Sequence, residues 1–144
     1  MQYGKTTGFT LVELMVTVAI MAIIMAIAYP TYVSQVAKGR RAAAKAALVE
    51  LAQYLERNYT ESQRYDKTSS GAAITLPYTQ APRDGSTKFY DLSLQSVSQN
   101  TFVLQAVPKN GQQTSDARCG TLTLDQRGVK GATGTDGATA CWGG

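Results

Sequence analysis

From Phe9 to Tyr29 the chain reads FTLVELMVTVAIMAIIMAIAY, with Glu13 as its single charge. A helix of that length rises about 31 Å, enough to cross the hydrocarbon of a bilayer. A carboxylate inside such a run costs about 3 kcal/mol unless it is paired. Glu13 therefore calls for a partner, and that partner defines what the segment does. Pro30 follows the run; its ring and missing N–H are expected to kink or loosen a helix without necessarily ending it.

Past Pro30 the pattern changes. Val33, Val36, Ala37, Ala44, Ala47, Leu48, Leu51, Leu55 and Tyr59 recur at spacings of three and four, one apolar stripe of an amphipathic helix. Lys38, Arg40, Arg41, Lys45, Glu50, Glu56 and Arg57 fill the intervening positions and read as a solvated face. The two halves predict one helix from about Phe9 to about Tyr59, roughly 75 Å long. A domain of this size cannot cover that length, so the front half is expected to protrude. Glu61 to Thr87 is rich in Ser, Thr, Gly and Pro and reads as a long connecting loop. Three strand-like runs follow: KFYDLSL, TFVLQAV at Thr101–Val107 and GTLTL at Gly120–Leu124. Short polar links between them predict an antiparallel meander packed on the amphipathic helix, an α+β domain. The closing stretch DQRGVKGATGTDGATACWGG is too rich in glycine to hold position alone. Trp142 is expected in the core or over a bridge that pins this tail.

The chain has no histidine, which removes the commonest general base and metal ligand. No nucleophile–base pair, carboxylate dyad or metal cluster is evident, so no catalytic residue, metal or cofactor is assigned. Cys119 and Cys141 have neither CxxC nor zinc spacing. A disulfide fits them, worth roughly 3 kcal/mol in the chain-entropy model, and it implies an oxidising compartment. Two free thiols in a cytosolic protein is the alternative. The N-terminal run also has rival readings. A simple anchor is one; a secretory signal cut after Ala28 in Ala26-Ile27-Ala28 is another. Lys38, Arg40, Arg41 and Lys45 lie after the span and only Lys5 before it, which would hold the domain in the cytoplasm by the positive-inside rule, but long domains translocate largely regardless of charge.

The stretch KTTGFTLVEL, the apolar run behind it and Pro30 closely resemble the class III signal of type IV prepilins. The likeness extends over the whole chain: long helix, variable loop, small antiparallel sheet and C-terminal disulfide loop, the pilin fold. The C-terminal CGTLTLDQRG and CW most resemble the PilE-type minor pilins. This resemblance implies a leader at 1–8, a transmembrane and filament-core half-helix at 9–30, and a periplasmic or extracellular globular domain at 31–144. It implies cleavage by a membrane-embedded prepilin peptidase between Gly8 and Phe9, then N-methylation of Phe9. Glu13 would reach the new terminal amine of an adjacent pilin, and Pro30 would take part in assembly. Two charges that are each costly in lipid are less so when paired, so pairing favours docking and fixes register. Ala19, Ala22, Ala26 and Ala28 allow close helix approach. Ala22 departs from the family, many of whose members carry glycine there, and alanine resists unwinding more. The implied partners are other pilins, the peptidase, the inner membrane and the pilus assembly machinery. The implied location is a single-pass inner-membrane state followed by a surface fibre, in a Gram-negative bacterium.

Within that family four roles share the same N-terminal half: major subunit, minor subunit, secretion pseudopilin and DNA-uptake pilin; the reading taken is a minor structural subunit, with a DNA-binding pilin for transformation or a type II secretion pseudopilin as the alternatives. Lys88, Lys109, Arg118, Arg127 and Lys130 are the candidate DNA patch. Asp91, Asp116, Asp125 and Asp136 interleave with them, as in an ordinary solvated face. The net charge of +4 permits an anionic partner without demanding one.

Overall fold

The computed structural model describes residues 8–143. It divides into two units, the first ending at Gln35 and the second beginning at Val36. Helix α1 (Leu11–Ser62) runs through the described part of the first unit and is the opening element of the second.

In the first unit α1 is apolar on all sides and exposed from Leu11 to Tyr32, with Leu11 at 74% and Met25 at 66% of full exposure. Its best window has a mean hydropathy of 2.6, so the helix is long and apolar enough to cross a membrane. Pro30 lies inside the helix and does not end it, and Ala22 to Pro30 is helical. Pro30 cannot donate to the carbonyl of Ala26. One residue on, the Thr31 hydroxyl donates to the Ile27 carbonyl at 3.1 Å.

The second unit packs α1 on a five-stranded antiparallel sheet whose spatial order is its chain order. The strands are β1 (Gln80–Ala81), β2 (Tyr90–Val97), β3 (Phe102–Pro108), β4 (Leu122–Asp125) and β5 (Lys130–Ala132). Two short helices, α2 (Gln112–Ser115) and α3 (Gly137–Trp142), flank β4 and β5. The three expected strands are β2, β3 and β4. Alternation sends Tyr90 and Leu92, then Phe102, Leu104 and Ala106, then Leu122 and Leu124 inward, against Ala44, Ala47, Leu48, Leu51 and Leu55 of α1. Val33, Val36 and Tyr59, at the ends of the expected stripe, are half-buried.

The segment expected as loop contains β1, and its Tyr65, Ile74 and Ala81 join the core. Two residues are too few to show a strand period, and Pro82 directly behind them reads as a breaker. The glycine-rich tail likewise carries β5 and α3, neither expected. The Cys119–Cys141 disulfide is formed, with Cα atoms 5.5 Å apart. Trp142 is buried and its Nε1 donates to the Gly131 carbonyl at 2.9 Å. Gly134 shows why the tail needs glycine: a Cβ there would lie 2.2 Å from the Arg118 carbonyl oxygen.

Candidate functional site

At the start of α1, Thr10 and Glu13 form a local pair. The Glu13 N–H donates to Thr10 Oγ1 at 3.2 Å, and the same hydroxyl faces Glu13 Oε2 at 3.4 Å. This is the spacing of a capping box, with the threonine as N-cap and the glutamate three residues on. The carboxylate also sits at the positive end of the helix macrodipole. Among the described residues these contacts leave most of the carboxylate's hydrogen-bonding capacity open, since a carboxylate offers about four acceptor sites. Gly8 has nothing within 4 Å of where a Cβ would be, so the local fold does not require glycine there. The leader expected at 1–8, Lys5 included, lies outside the described residues apart from Gly8.

The five cations expected to form one basic patch are not brought together. Lys88 and Lys109 meet where β2 begins and β3 ends: the Lys109 N–H donates to the Phe89 carbonyl, and Asn110 Nδ2 to the Lys88 carbonyl, each at 2.8 Å. Arg118 precedes β4 at the same end, because Leu122 stands opposite Ala106. Arg127 follows Asp125, which stands opposite Val103, so it lies at the other end of β3. The separation along the strand is about 20 Å. Lys130 accompanies Arg127, opposite Leu124.

Neutralisation divides them as well. Lys109 pairs with Asp91, Arg118 with Asp136 at 2.9 Å, and Arg127 with Asp125 at 3.0 Å. Lys88 donates to the carbonyls of Pro82 and Arg83 at 3.0 and 2.7 Å. Lys130 stands 5.6 Å from the centroid of the Trp142 ring. Exposed pairs such as Arg118–Asp136 are worth about 1 kcal/mol or less, so phosphate can exchange for the carboxylate. At the Lys88 end a further cation is available: the Arg40 guanidinium lies 3.6 Å over the Phe89 ring.

The face of α1 expected to be fully solvated is not. Arg41 is nearly buried and pairs with Asp116, itself only 7% exposed. Asp116 Oδ2 accepts from the Tyr90 hydroxyl at 3.0 Å and from Gln112 Nε2 at 3.4 Å. Gln112 Nε2 donates also to the Ala37 carbonyl at 2.9 Å. Burial pushes the Tyr90 phenol well up, so it remains a donor to the carboxylate. Lys45 donates to the Trp142 carbonyl at 3.0 Å, and its pKa is lowered by burial first and by the neighbouring Arg41 and Lys130 cations next.

Two surface carboxylates carry a pH signature. The Lys109 hydrogen bond holds Asp91 below the ordinary aspartate range, and the Arg64 hydrogen bond does the same for Asp66. A folded pKa below the unfolded one gives stability that is complete above about pH 3.9 and is lost as pH falls through the lower folded values. Thermal melts between pH 5 and pH 2 should therefore show Tm falling steadily, and Asp66→Asn should make the decline shallower.

The family model described as type IV minor pilin ComP, DNA uptake sequence receptor, matches residues 30–123. The chain belongs to that family. A prokaryotic N-terminal methylation motif matches residues 4–29, which places Gly8, Phe9 and Glu13 inside it. Comparison with curated proteins finds no match. Among solved structures, that of the Neisseria meningitidis non-core minor pilin PilV aligns with a TM-score of 0.49 and 24% identity, over 72% of this chain and 92% of that one. As a type IV minor pilin, the chain combines the two features described above: an apolar helix with a capped glutamate, and a small disulfide-bridged domain.

Proposed function

We propose that this minor pilin enters a type IV pilus through its N-terminal helix and that its globular unit is a receptor for duplex DNA during uptake. The observation that carries the receptor reading is the match of the DNA-uptake minor-pilin model across residues 30–123, which takes in most of the sheet. The assembly reading rests on the methylation motif and the exposed apolar helix. The prepilin peptidase cuts between Gly8 and Phe9, Phe9 is N-methylated, and its amine becomes the counter-ion for Glu13 of a neighbouring pilin. The chain waits in the inner membrane as a single span, 9–30, and passes to the fibre when that span docks. The domain 31–144 faces outward from the membrane.

The DNA-contacting surface is the end of the sheet that gathers Lys88, Lys109 and Arg118, with Arg40 beside them; Arg127 and Lys130 lie too far away to share the same phosphates. Fluorescence anisotropy of the soluble fragment from Tyr32, with labelled duplex DNA, tests this. Affinity should fall linearly on a log–log plot against salt, and each phosphate contact removed should reduce the slope by about 0.9. Lys88→Gln with Arg118→Gln should flatten the slope, whereas Arg127→Gln with Lys130→Gln should not. No binding at low salt would end the receptor reading.

A further inference from the structure

Arg40 differs from the other cations at its end of the sheet. Lys109 and Arg118 are paired with carboxylates, and Lys88 donates to two carbonyls. Among the described residues no hydrogen bond or ion pair reaches the Arg40 guanidinium, which rests on the Phe89 ring with Cζ 3.6 Å from the centroid. At that separation the group lies flat, because a nitrogen turned toward the ring would hold Cζ further off. Among the described residues the one buried side-chain polar atom without a partner is Gln112 Oε1, so the unpartnered nitrogens of Arg40 reach solvent. The ring beneath is fixed at both ends of its residue. The Phe89 N–H donates to the Ala81 carbonyl at 2.9 Å, and its own carbonyl accepts the Lys109 N–H at 2.8 Å. The fork of N–H groups is therefore oriented before a ligand arrives, and less freedom is lost on binding. The helix beside Arg40 is bare as well. Gly39 lies inside α1, where glycine is less stable than alanine. Packing does not call for it, since nothing lies within 4 Å of where its Cβ would be. What the missing side chain leaves is room for a ligand to come close to the helix.

We infer that Arg40 is the base-reading residue of the DNA surface proposed above, and that it reads guanine in the major groove; the inference rests on that receptor reading. Phosphate contacts position a duplex but carry no sequence information, so telling one sequence from another takes a contact to base edges. Arginine offers donors only, and a forked pair of donors needs two acceptors side by side. In the major groove guanine alone presents that pair, O6 and N7. Adenine sets a donor beside its N7, cytosine shows a donor, and thymine shows a single acceptor beside its methyl group. Lys88, Lys109 and Arg118 serve the phosphates of the same duplex, where charge counts and the base does not. Gly39 lets the edge of the groove approach α1 closely enough for the guanidinium to reach in.

The test offers the full chain, in detergent, a pool of labelled duplexes randomised over their central base pairs, and sequences the bound fraction. The unmutated chain should enrich guanine at one position of the bound motif, about tenfold to a hundredfold over the other bases. Arg40→Gln should lose that preference and gain adenine at the same position, because an amide pairs with N6 and N7 of adenine. Arg40→Ala should show no preference there. Lys88→Gln with Arg118→Gln should instead weaken every sequence alike and keep the guanine. Gly39→Ala, which favours the helix, should nevertheless weaken binding. Guanine enrichment unchanged in Arg40→Gln, or an unmutated chain that binds all sequences equally, overturns the assignment and leaves the receptor reading in place. So does a salt slope lower by about 0.9 in Arg40→Gln with the guanine preference kept, which marks a phosphate contact. Full-strength binding by Gly39→Ala overturns the close approach to α1. No duplex bound at low salt ends the receptor reading itself, and this assignment with it.

Discussion

Glu13→Ala is expected to leave insertion into the membrane intact and to remove this pilin from sheared fibres. The argument is one of charge in hydrocarbon. A carboxylate costs about 3 kcal/mol in the span, a cost that the proposed counter-ion at docking would offset. Among the described residues its side chain hydrogen-bonds with the Thr10 hydroxyl and not with a cation. On the proposed pairing, replacing it would strand the neighbouring amine, and breaking a buried pair from one side typically costs 3–5 kcal/mol, a factor of at least a hundred in docking equilibrium. Quantitative blots of membrane and fibre fractions read this directly. Fibre incorporation of the alanine form at the wild-type level would remove the register role. Glu13→Gln separates charge from shape, because it keeps the hydrogen bond toward Thr10 while losing the ion pair; it should assemble as poorly as alanine.

The second large effect is on folding. Arg41→Met leaves the Asp116 carboxylate buried without its cation, with Tyr90 and Gln112 as its remaining side-chain donors among the described residues. The expected loss is about 3–5 kcal/mol, a large fraction of the stability of a domain this small. Urea unfolding of the soluble fragment, followed by the fluorescence of the sole tryptophan, Trp142, measures it. Asp116→Leu on top of Arg41→Met should restore most of the loss, because the double replacement leaves no orphaned charge. If Arg41→Met alone unfolds within 1 kcal/mol of wild type, the pair contributes little to the fold.

The long helix, the three main strands and the bridge are legible in the sequence because each repeats a period or uses a rare residue. One half of the buried ion pair is equally legible, yet grouping Arg41 with the other cations of α1 puts it on the wrong face. Ala37, Arg41, Ala44, Leu48, Leu51 and Leu55 run at spacings of four, three, four, three and four, so Arg41 occupies a place in the apolar stripe. A charge at such a place signals a buried partner. Its acid cannot be chosen the same way. Asp116 lies in a polar turn that resembles any other, and only the closure of the chain brings it to α1. β1, β5 and α3 are illegible for a different reason: each is too short to establish a period, and tertiary pairing alone fixes it. The proposed DNA surface shows the limit for charge. Five cations read from the sequence become two groups at opposite ends of β3, because a hairpin returns the chain and spacing along it says nothing of spacing across it.

A meander in which every strand pairs with the one before it needs no late-arriving partner from the far end of the chain. If the polypeptide is delivered across a membrane with its anchor leading, each hairpin can zip onto the growing edge as it emerges, with small loop-closure cost and no long wait as an unpaired, sticky edge. The β5–α3 segment is then the last piece of this sheet to dock, and the Cys119–Cys141 bridge closes only once it has emerged.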